Sequence, residues 1–312
     1  MLYLALFRVS NIRSPERTMR NTDWPPAEIH RIARTSGKPL EVECAEAFLA
    51  ANWTARLGSY YADGALNVPR ELDVLAEKSV KLDSVTGVTA RVRALVSCRG
   101  FPEERSPLLY SVSGTSVPSY EPRLFVEHRG PWALELGSQP YGPLPTLEIE
   151  SARHVLEFAD LTTARPIVAF DMIERTETKA KNKNDAPLVT YARMKDGDSS
   201  LFKAVDSAIK AAFFWRQEDY QSGVGFVTVN VPVCMLSCRF WDACIDRGNV
   251  NQPEVFSKGW MVNLYPAHPH AKELMCLVWS ADQLAALTTA LDGLFRWFAD
   301  EMNNAYRSSK PG

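Results

Sequence analysis

The order in which helical and strand-like patterns follow one another constrains the fold of this chain more than any other sequence feature. From about Glu41 to Asn52, apolar residues recur at helical spacing, as Val42, Ala45 and Leu49 show. Strand-like segments with turn signals between them follow at residues 53–57, 71–76, 91–96 and 107–112. One helix followed by several strands predicts a compact α/β core.

The second half of the chain mixes the same two patterns. Strands are predicted at 166–170, 226–233 and 274–279, and a helix is predicted at 200–216. A final helix should begin after Ser280, with Gln283 completing a capping box and a stripe of leucines ending at Phe298. That stripe is typical of a helix that packs on a core, so this half should also be α/β.

Composition along the chain suggests four parts. Residues 1–38 are charged and carry several prolines, which predicts a leader segment, and residues 39–112 form the first α/β core. Residues 113–150 are rich in proline and glycine, which is typical of an irregular insertion or linker. Residues 151–303 make up a C-terminal α/β part, which we expect to pack on the same sheet as the core.

Charge and cysteine content exclude several function classes. The 312 residues carry a formal net charge of −2, so charge alone does not favour a nucleic-acid partner and any such contact needs a local basic patch. The lysines at 179, 181 and 183 form a small basic run, for which a solvated loop is the simpler interpretation. Six cysteines are too few for a disulfide framework, and the spacing of Cys234, Cys238 and Cys244 favours buried thiols over zinc.

The sequence also predicts a cytoplasmic protein without a membrane partner. No apolar run approaches the roughly 18 residues that are needed to span a bilayer. The apolar start of the chain lacks a basic region before it and a small-residue cleavage site after it, so it does not match a secretory signal.

An aspartate near one predicted strand end, with a cation near the next, points to metal chemistry. Metal-dependent cleavage of a phosphodiester needs carboxylates that hold Mg²⁺ and a cation near the phosphate. An Asp at one strand end and an acidic-x-Lys triplet on the next strand meet this need, because alternation sends the first and third side chains to one face. Asp73 and the triplet Ser97-Cys98-Arg99 stand in such an order.

Residues 39–112 resemble the PD-(D/E)XK, or restriction-endonuclease-like, nuclease superfamily. Residues 39–45 are similar to the family's first helix, which often carries a supporting glutamate, here Glu41 or Glu43. Residues 70–76 are similar to its strand with the pattern R-E-I-D followed by two hydrophobic residues and alanine. Residues 95–99 stand where relatives show two hydrophobic residues and E-C-K, and residues 107–110 resemble the strand after it.

The resemblance implies a restriction-endonuclease-like core with a mixed central sheet flanked by helices, followed by a C-terminal α/β extension. It implies Asp73 as the first metal ligand, with Glu71 as a further ligand and Mg²⁺ as the cofactor. It makes Asp73, Ser97, Arg99 and Glu41 the candidate catalytic residues. DNA is the implied partner, in a setting of bacterial restriction or anti-phage defence.

The chain departs from the family pattern at two positions of the triplet. Ser97 stands at the glutamate position, and a neutral hydroxyl is a poor ligand for Mg²⁺. Arg99 stands at the lysine position, where arginine keeps the charge but does not readily lose a proton. Either Glu71, Glu41 or Glu43 supplies the missing carboxylate, or the site is inactive and the fold serves binding.

Three functions therefore remain open at the level of sequence. In the first, the chain is a metal-dependent nuclease-like protein that acts on or binds DNA. In the second, it is an inactive nuclease-fold subunit or sensor that binds nucleic acid or a partner protein of a defence system. The third is a structural protein that binds no nucleic acid. Asp73 could also satisfy a turn, Arg99 could be a surface cation, and Glu41 and Glu43 could be the polar face of a helix. Cys98, between two site-facing positions, should point into the core.

Overall fold

The computed structural model describes residues 25–63, 68–83, 87–113, 122–129, 145–178, 188–194, 200–214, 225–265 and 272–308. It forms a mixed α/β fold in which one large mixed sheet is flanked by helices, which confirms the predicted fold class at this level. No helix within these ranges is long and apolar enough to cross a membrane.

Five helices and thirteen strands make up the described part of the chain. The helices are α1 (Pro26–Thr35), α2 (Lys38–Ala50), α3 (Pro145–Phe158), α4 (Ser200–Phe214) and α5 (Leu284–Ser308). The first seven strands are β1 (Thr54–Asp63), β2 (Val68–Lys81), β3 (Val88–Arg99), β4 (Arg105–Val112), β5 (Phe125–Arg129), β6 (Ile167–Thr178) and β7 (Leu188–Arg193). The others are β8 (Gly225–Leu236), β9 (Phe240–Asp246), β10 (Asn249–Val250), β11 (Glu254–Phe256), β12 (Lys258–Tyr265) and β13 (Lys272–Ser280).

The sheet combines residues from both halves of the chain. Its strand order is β1-β2-β3-β8-β13-β12-β6-β4-β9-β10, with β11, β5 and β7 attached to β9, β8 and β6. Strands β1, β2 and β3 form an antiparallel meander, and β3 pairs in parallel with β8 along its whole length. The central strands β3 and β8 thus join the N-terminal meander to the C-terminal strands.

Helices cover both faces of the central sheet. The alternating valines 227, 229, 231 and 233 of β8 face a core that α2, α3 and α5 cover, whereas Cys234 and Leu236 face α4. The leucine stripe of α5 is fully buried at Leu287, Leu291 and Leu294. This burial on two faces explains why β3 and β8 carry almost continuous apolar residues.

Four expectations differ from the structure. Residues 26–35 within the expected leader form α1, and residues 125–129 within the Pro-rich segment form β5, which pairs with β8. The predicted capping box is wrong: Ser280 makes no capping hydrogen bond, because its Oγ donates to Asp282 and a 3₁₀ turn over 281–283 precedes α5. Strand β4 exists where predicted, but β8, β13, β12 and β6 separate it from β3.

Candidate functional site

Asp73 lies at the point where β2 and β3 separate. The two strands pair from Lys81 opposite Thr89 up to Val74 opposite Val96, and Asp73 is the next residue of β2. The backbone N–H of Cys98 donates to Asp73 Oδ2 at 2.7 Å. The carboxylate therefore takes the place of a β2 carbonyl and satisfies a backbone donor that the end of the pairing would leave without a partner.

Two side chains from β3 also donate to the Asp73 carboxylate. Ser97 Oγ lies 3.1 Å from Asp73 Oδ2, and Arg99 Nη1 lies 3.4 Å from the same oxygen. Ser97 is buried, while the side chains of Arg99 and Asp73 are 28% and 16% exposed. Alternation along β3 brings Ser97 and Arg99 to Asp73, and the carboxylate accepts all of these bonds on one oxygen.

The start of α2 packs closely against the end of β3. Gly37, which precedes the helix, has a φ of +83°, a left-handed value that favours glycine. A Cβ atom added at Gly37 would lie 3.4 Å from the backbone nitrogen of Gly100 and 3.7 Å from the carbonyl oxygen of Cys98. These are ordinary contact distances, so the left-handed φ, and not a lack of space, favours glycine here, and the chain then places Lys38 and Glu41 in the first turn of α2 near Asp73.

Lys38 joins two further carboxylates at this position. Its Nζ donates to Glu41 Oε2 at 2.9 Å and lies 3.7 Å from Glu71 Oε1. Glu41 is buried, with 8% of its side chain exposed, whereas the side chains of Lys38 and Glu71 are 64% and 45% exposed. The site thus has a buried floor of Glu41 and Ser97 and an exposed rim of Lys38 and Glu71.

The pKa values of Glu41 and Lys38 reflect this arrangement. Burial raises the pKa of Glu41, the hydrogen bond from Lys38 opposes that shift, and the negative charge of Asp73 adds to it. The hydrogen bond to Glu41 raises the pKa of Lys38, and the nearby carboxylates reinforce the shift. Lys38 therefore carries its positive charge at neutral pH.

Cys98 points away from this site into the core. Its Sγ lies 3.9 Å from Sγ of Cys44 on α2, and both thiols are buried. The interaction with Cys44 and burial raise the pKa of Cys98 well above its ordinary range. An un-ionised thiol in this position is a packing residue and a poor nucleophile.

The structure brings most of the predicted site residues together. Asp73, Ser97 and Arg99 are in direct contact, and Lys38 links Glu41 and Glu71 beside them. Glu43 is exposed on the outer face of α2 and takes no part. The lysines at 179, 181 and 183, and His268 and His270, lie outside the described residues.

Sequence reasoning missed Lys38, the cation at the centre of the carboxylates. Its spacing of three residues from Glu41 on a predicted helix is a recognised pairing signal. That signal indicates only a surface ion pair, because nothing in the sequence shows that the first turn of α2 packs against β3.

The arrangement does not fit a Mg²⁺ ion. Among the residues that the structure describes, no three histidine, cysteine or acidic side chains are grouped closely enough to hold a metal. One oxygen of Asp73 already accepts from Ser97, Cys98 and Arg99, and a lysine ammonium lies between Glu41 and Glu71. Mg²⁺ gives up its waters only where several hard oxygens replace them, and here protein donors engage Asp73 Oδ2 and Glu41 Oε2 while the Lys38 ammonium already supplies a positive charge.

A separate cavity of about 340 Å³ lies far along the sheet, near β9, β11 and β12. Its lining includes Arg165, Asp242 and Lys258 and none of the predicted site residues. Burial raises the pKa of Asp242, whose two oxygens accept hydrogen bonds from the backbone and hydroxyl of Ser111. Like Asp73, this carboxylate is hydrogen-bonded within the fold, and the cavity contains none of the residues to which the motifs point.

No protein-family model, curated protein or solved structure matches this chain. The resemblance to the nuclease superfamily therefore remains a prediction from the motifs, and the geometry around Asp73 must carry the functional argument.

Proposed function

We propose that this protein is a nuclease-like protein that binds nucleic acid, DNA in the first instance, without metal-dependent cleavage. The observation that carries the proposal is the state of Asp73. Its Oδ2 accepts hydrogen bonds from Ser97, Cys98 and Arg99, so the carboxylate is used within the protein. A carboxylate that already accepts three hydrogen bonds within the protein is better suited to stabilising the fold than to binding a catalytic metal ion.

The side chains at the altered triplet support the same conclusion. Hydrolysis of a phosphodiester through a metal needs a carboxylate to share the ion and a group that can accept a proton. Ser97 contributes a buried neutral hydroxyl, and an arginine such as Arg99 supplies a cation and no proton acceptor. Neither residue can take up a proton from an attacking water.

The rim of the site has features that suit a nucleic-acid strand. Tyr60 on β1 lies directly opposite Glu71 on β2, so the two side chains share one face of the sheet. Tyr60 is 67% exposed, and the Lys38 ammonium lies 3.7 Å from Glu71 on this face. An exposed aromatic ring at this rim provides a stacking surface for a base.

The electrostatics of the whole chain limit the strength of such binding. With a net charge of −2, the protein can make only a few phosphate contacts. Each contact with duplex DNA contributes a slope of about −0.9 to log affinity against log salt. We therefore expect a shallow salt dependence, and a steep one would require a long basic groove that the described residues do not form.

The test measures DNA binding and cleavage with the wild-type protein. Fluorescence anisotropy with labelled single-stranded and duplex DNA in EDTA should detect binding at low salt, and gels with Mg²⁺ or Mn²⁺ should show no cleavage. Tyr60→Ala should weaken single-strand binding by about 1–3 kcal/mol, the contribution of one stacked base. The control is Tyr191→Ala, which removes a tyrosine that is 70% exposed on β7 and should leave binding unchanged.

Two results would contradict the proposal. If neither DNA nor RNA binds at low salt, the inactive core instead contacts a partner protein. Cleavage by the wild type with Mg²⁺ or Mn²⁺, abolished by Asp73→Asn, would show that the protein is an active nuclease.

That active nuclease is the second candidate function, and the position of Glu41 favours it. Glu41 is a buried carboxylate within electrostatic range of Asp73, since the negative charge of Asp73 helps to raise the pKa of Glu41. A glutamate in this place could supply the carboxylate that Ser97 lacks. The cleavage assay on the wild type decides between the two candidates.

A further inference from the structure

Lys38 occupies the centre of the candidate site. Its Nζ lies 2.9 Å from Glu41 Oε2 and 3.7 Å from Glu71 Oε1. The charge of Asp73 also acts on Lys38, which places a third carboxylate within electrostatic range of the ammonium. One lysine thus faces the same carboxylates that the family resemblance assigns to a metal.

Helix stability does not explain a lysine at this place. Lys38 is the first residue of α2, where the helix dipole favours negative charge and disfavours a cation. The start of the helix lies beside the end of β3 at Gly37, and from there the ammonium reaches Glu41 and Glu71. The carboxylates offset the unfavourable position of the lysine in the helix.

We propose that the Lys38 ammonium is the resident cation of this site and takes the position between Glu41 and Glu71 that a divalent cation would need. Wild-type protein therefore excludes Mg²⁺ and Mn²⁺ from the site. The physical reason is twofold: the ammonium donates a hydrogen bond to Glu41 and forms an ion pair with Glu71, and two cations less than about 4 Å apart repel each other strongly. This inference rests on the proposed function, because metal-dependent cleavage would need that position for the ion.

Removing the charge of Lys38 tests the inference. Lys38→Met keeps much of the apolar stem and leaves Glu41, Glu71 and Asp73 with Arg99 as the remaining neighbouring cation. Glu71 is partly exposed, so its side chain can turn towards an ion that the more buried carboxylates hold. Calorimetric titration with Mn²⁺ should give one site at least about tenfold tighter than any site in the wild type. Lys38→Arg, which keeps the charge, should behave as the wild type does.

Two controls separate a local effect from a change in overall charge. Lys203→Met removes one positive charge from an exposed position on α4 and should not change Mn²⁺ affinity. Adding Glu41→Gln to Lys38→Met should abolish the gain. The inference is overturned if the wild type binds Mn²⁺ as tightly as Lys38→Met does, if Lys203→Met gives the same gain, or if the gain survives Glu41→Gln.

A second variant keeps the test decisive if Lys38→Met does not fold. The amide of Lys38→Gln can still donate a hydrogen bond to Glu41, and circular dichroism establishes that the variant is folded. A folded Lys38→Gln protein without improved Mn²⁺ binding also overturns the inference.

The titrations contain no nucleic acid, so the inference and the proposed function can fail separately. Wild-type protein that binds DNA without cleaving it, together with Lys38 variants that bind no Mn²⁺, would overturn the inference alone. Wild-type protein that cleaves DNA with Mg²⁺ would contradict both.

Discussion

Substitution of Asp73 distinguishes a structural carboxylate from a metal ligand, because the two roles predict changes of opposite sign in stability. If Asp73 belongs to the fold, its removal leaves the buried backbone N–H of Cys98 and the buried hydroxyl of Ser97 without their acceptor. If Asp73 is instead one of several carboxylates that bind a metal and repel one another without it, its neutralisation stabilises the metal-free protein.

The size of the expected loss of stability follows from the hydrogen bonds that Asp73 accepts. A buried donor left without an acceptor costs about 1–3 kcal/mol, and the bond from Cys98 is the shortest at 2.7 Å. The ion pair with Arg99 is partly exposed and contributes little. Asp73→Ala should therefore lower the free energy of unfolding by about 2–4 kcal/mol. Asp73→Asn keeps one oxygen acceptor and should lower it by about 1–2 kcal/mol.

Urea denaturation at pH 7, with EDTA and then with millimolar Mg²⁺, measures both effects. The wild type should have the same unfolding midpoint in the two buffers, because a ligand stabilises a protein only if it binds the folded state. Asp160→Asn is the matched control, since Asp160 is 95% exposed and its change should stay within about 0.5 kcal/mol. A more stable Asp73→Asn protein, or a wild type that Mg²⁺ stabilises through Asp73, would refute the structural role.

Three further predictions concern neighbouring residues. Ser97→Glu adds a carboxylate beside Asp73 and should raise Mn²⁺ affinity in a calorimetric titration, more so with Arg99→Lys; unchanged affinity in a folded variant would contradict it. The raised pKa of Glu41 means that the folded state holds its proton more tightly than the unfolded state, so its contribution to stability falls as pH rises through the folded pKa. The stability of Glu41→Gln relative to the wild type should therefore improve from pH 4 towards neutral pH in urea titrations, and a constant difference would disprove the shift. Gly37→Ala should cost about 1–2 kcal/mol in urea titrations through its left-handed φ, and Gly248→Ala should cost a similar amount, since φ is +83° and +84° and the added Cβ clashes with no atom at either position.

The regular elements could be predicted to a large extent from periodicity. The alternating valines of β8 and the leucine stripe of α5 are buried as their patterns indicate. The ends of elements were harder to predict, because β2 continues to Lys81 through polar residues that pair with β3. Backbone hydrogen bonds can extend a strand where the sequence has no hydrophobic pattern. At helix starts, a capping pattern such as that of Ser280 and Gln283 competes with other local hydrogen bonds.

The features of the candidate site also divide into those that could be predicted and those that could not. The proximity of Asp73, Ser97 and Arg99 was expected from the order of the motifs that carry the family resemblance and from alternation, and the three residues are in contact. The backbone donor to Asp73 Oδ2 was not predictable, since it depends on the point at which β2 and β3 separate.

The sequence by itself determined the α/β class, the main helices and strands, and the side chains that β2 and β3 present to a common face. These features depend on short-range spacing, which is 2 residues for a strand and about 3.6 for a helix. Only the tertiary structure decided that four strands separate β4 from β3 and that Lys38 lies near Glu71 and Asp73. These arrangements join residues that are far apart in the chain, and short-range spacing does not encode them.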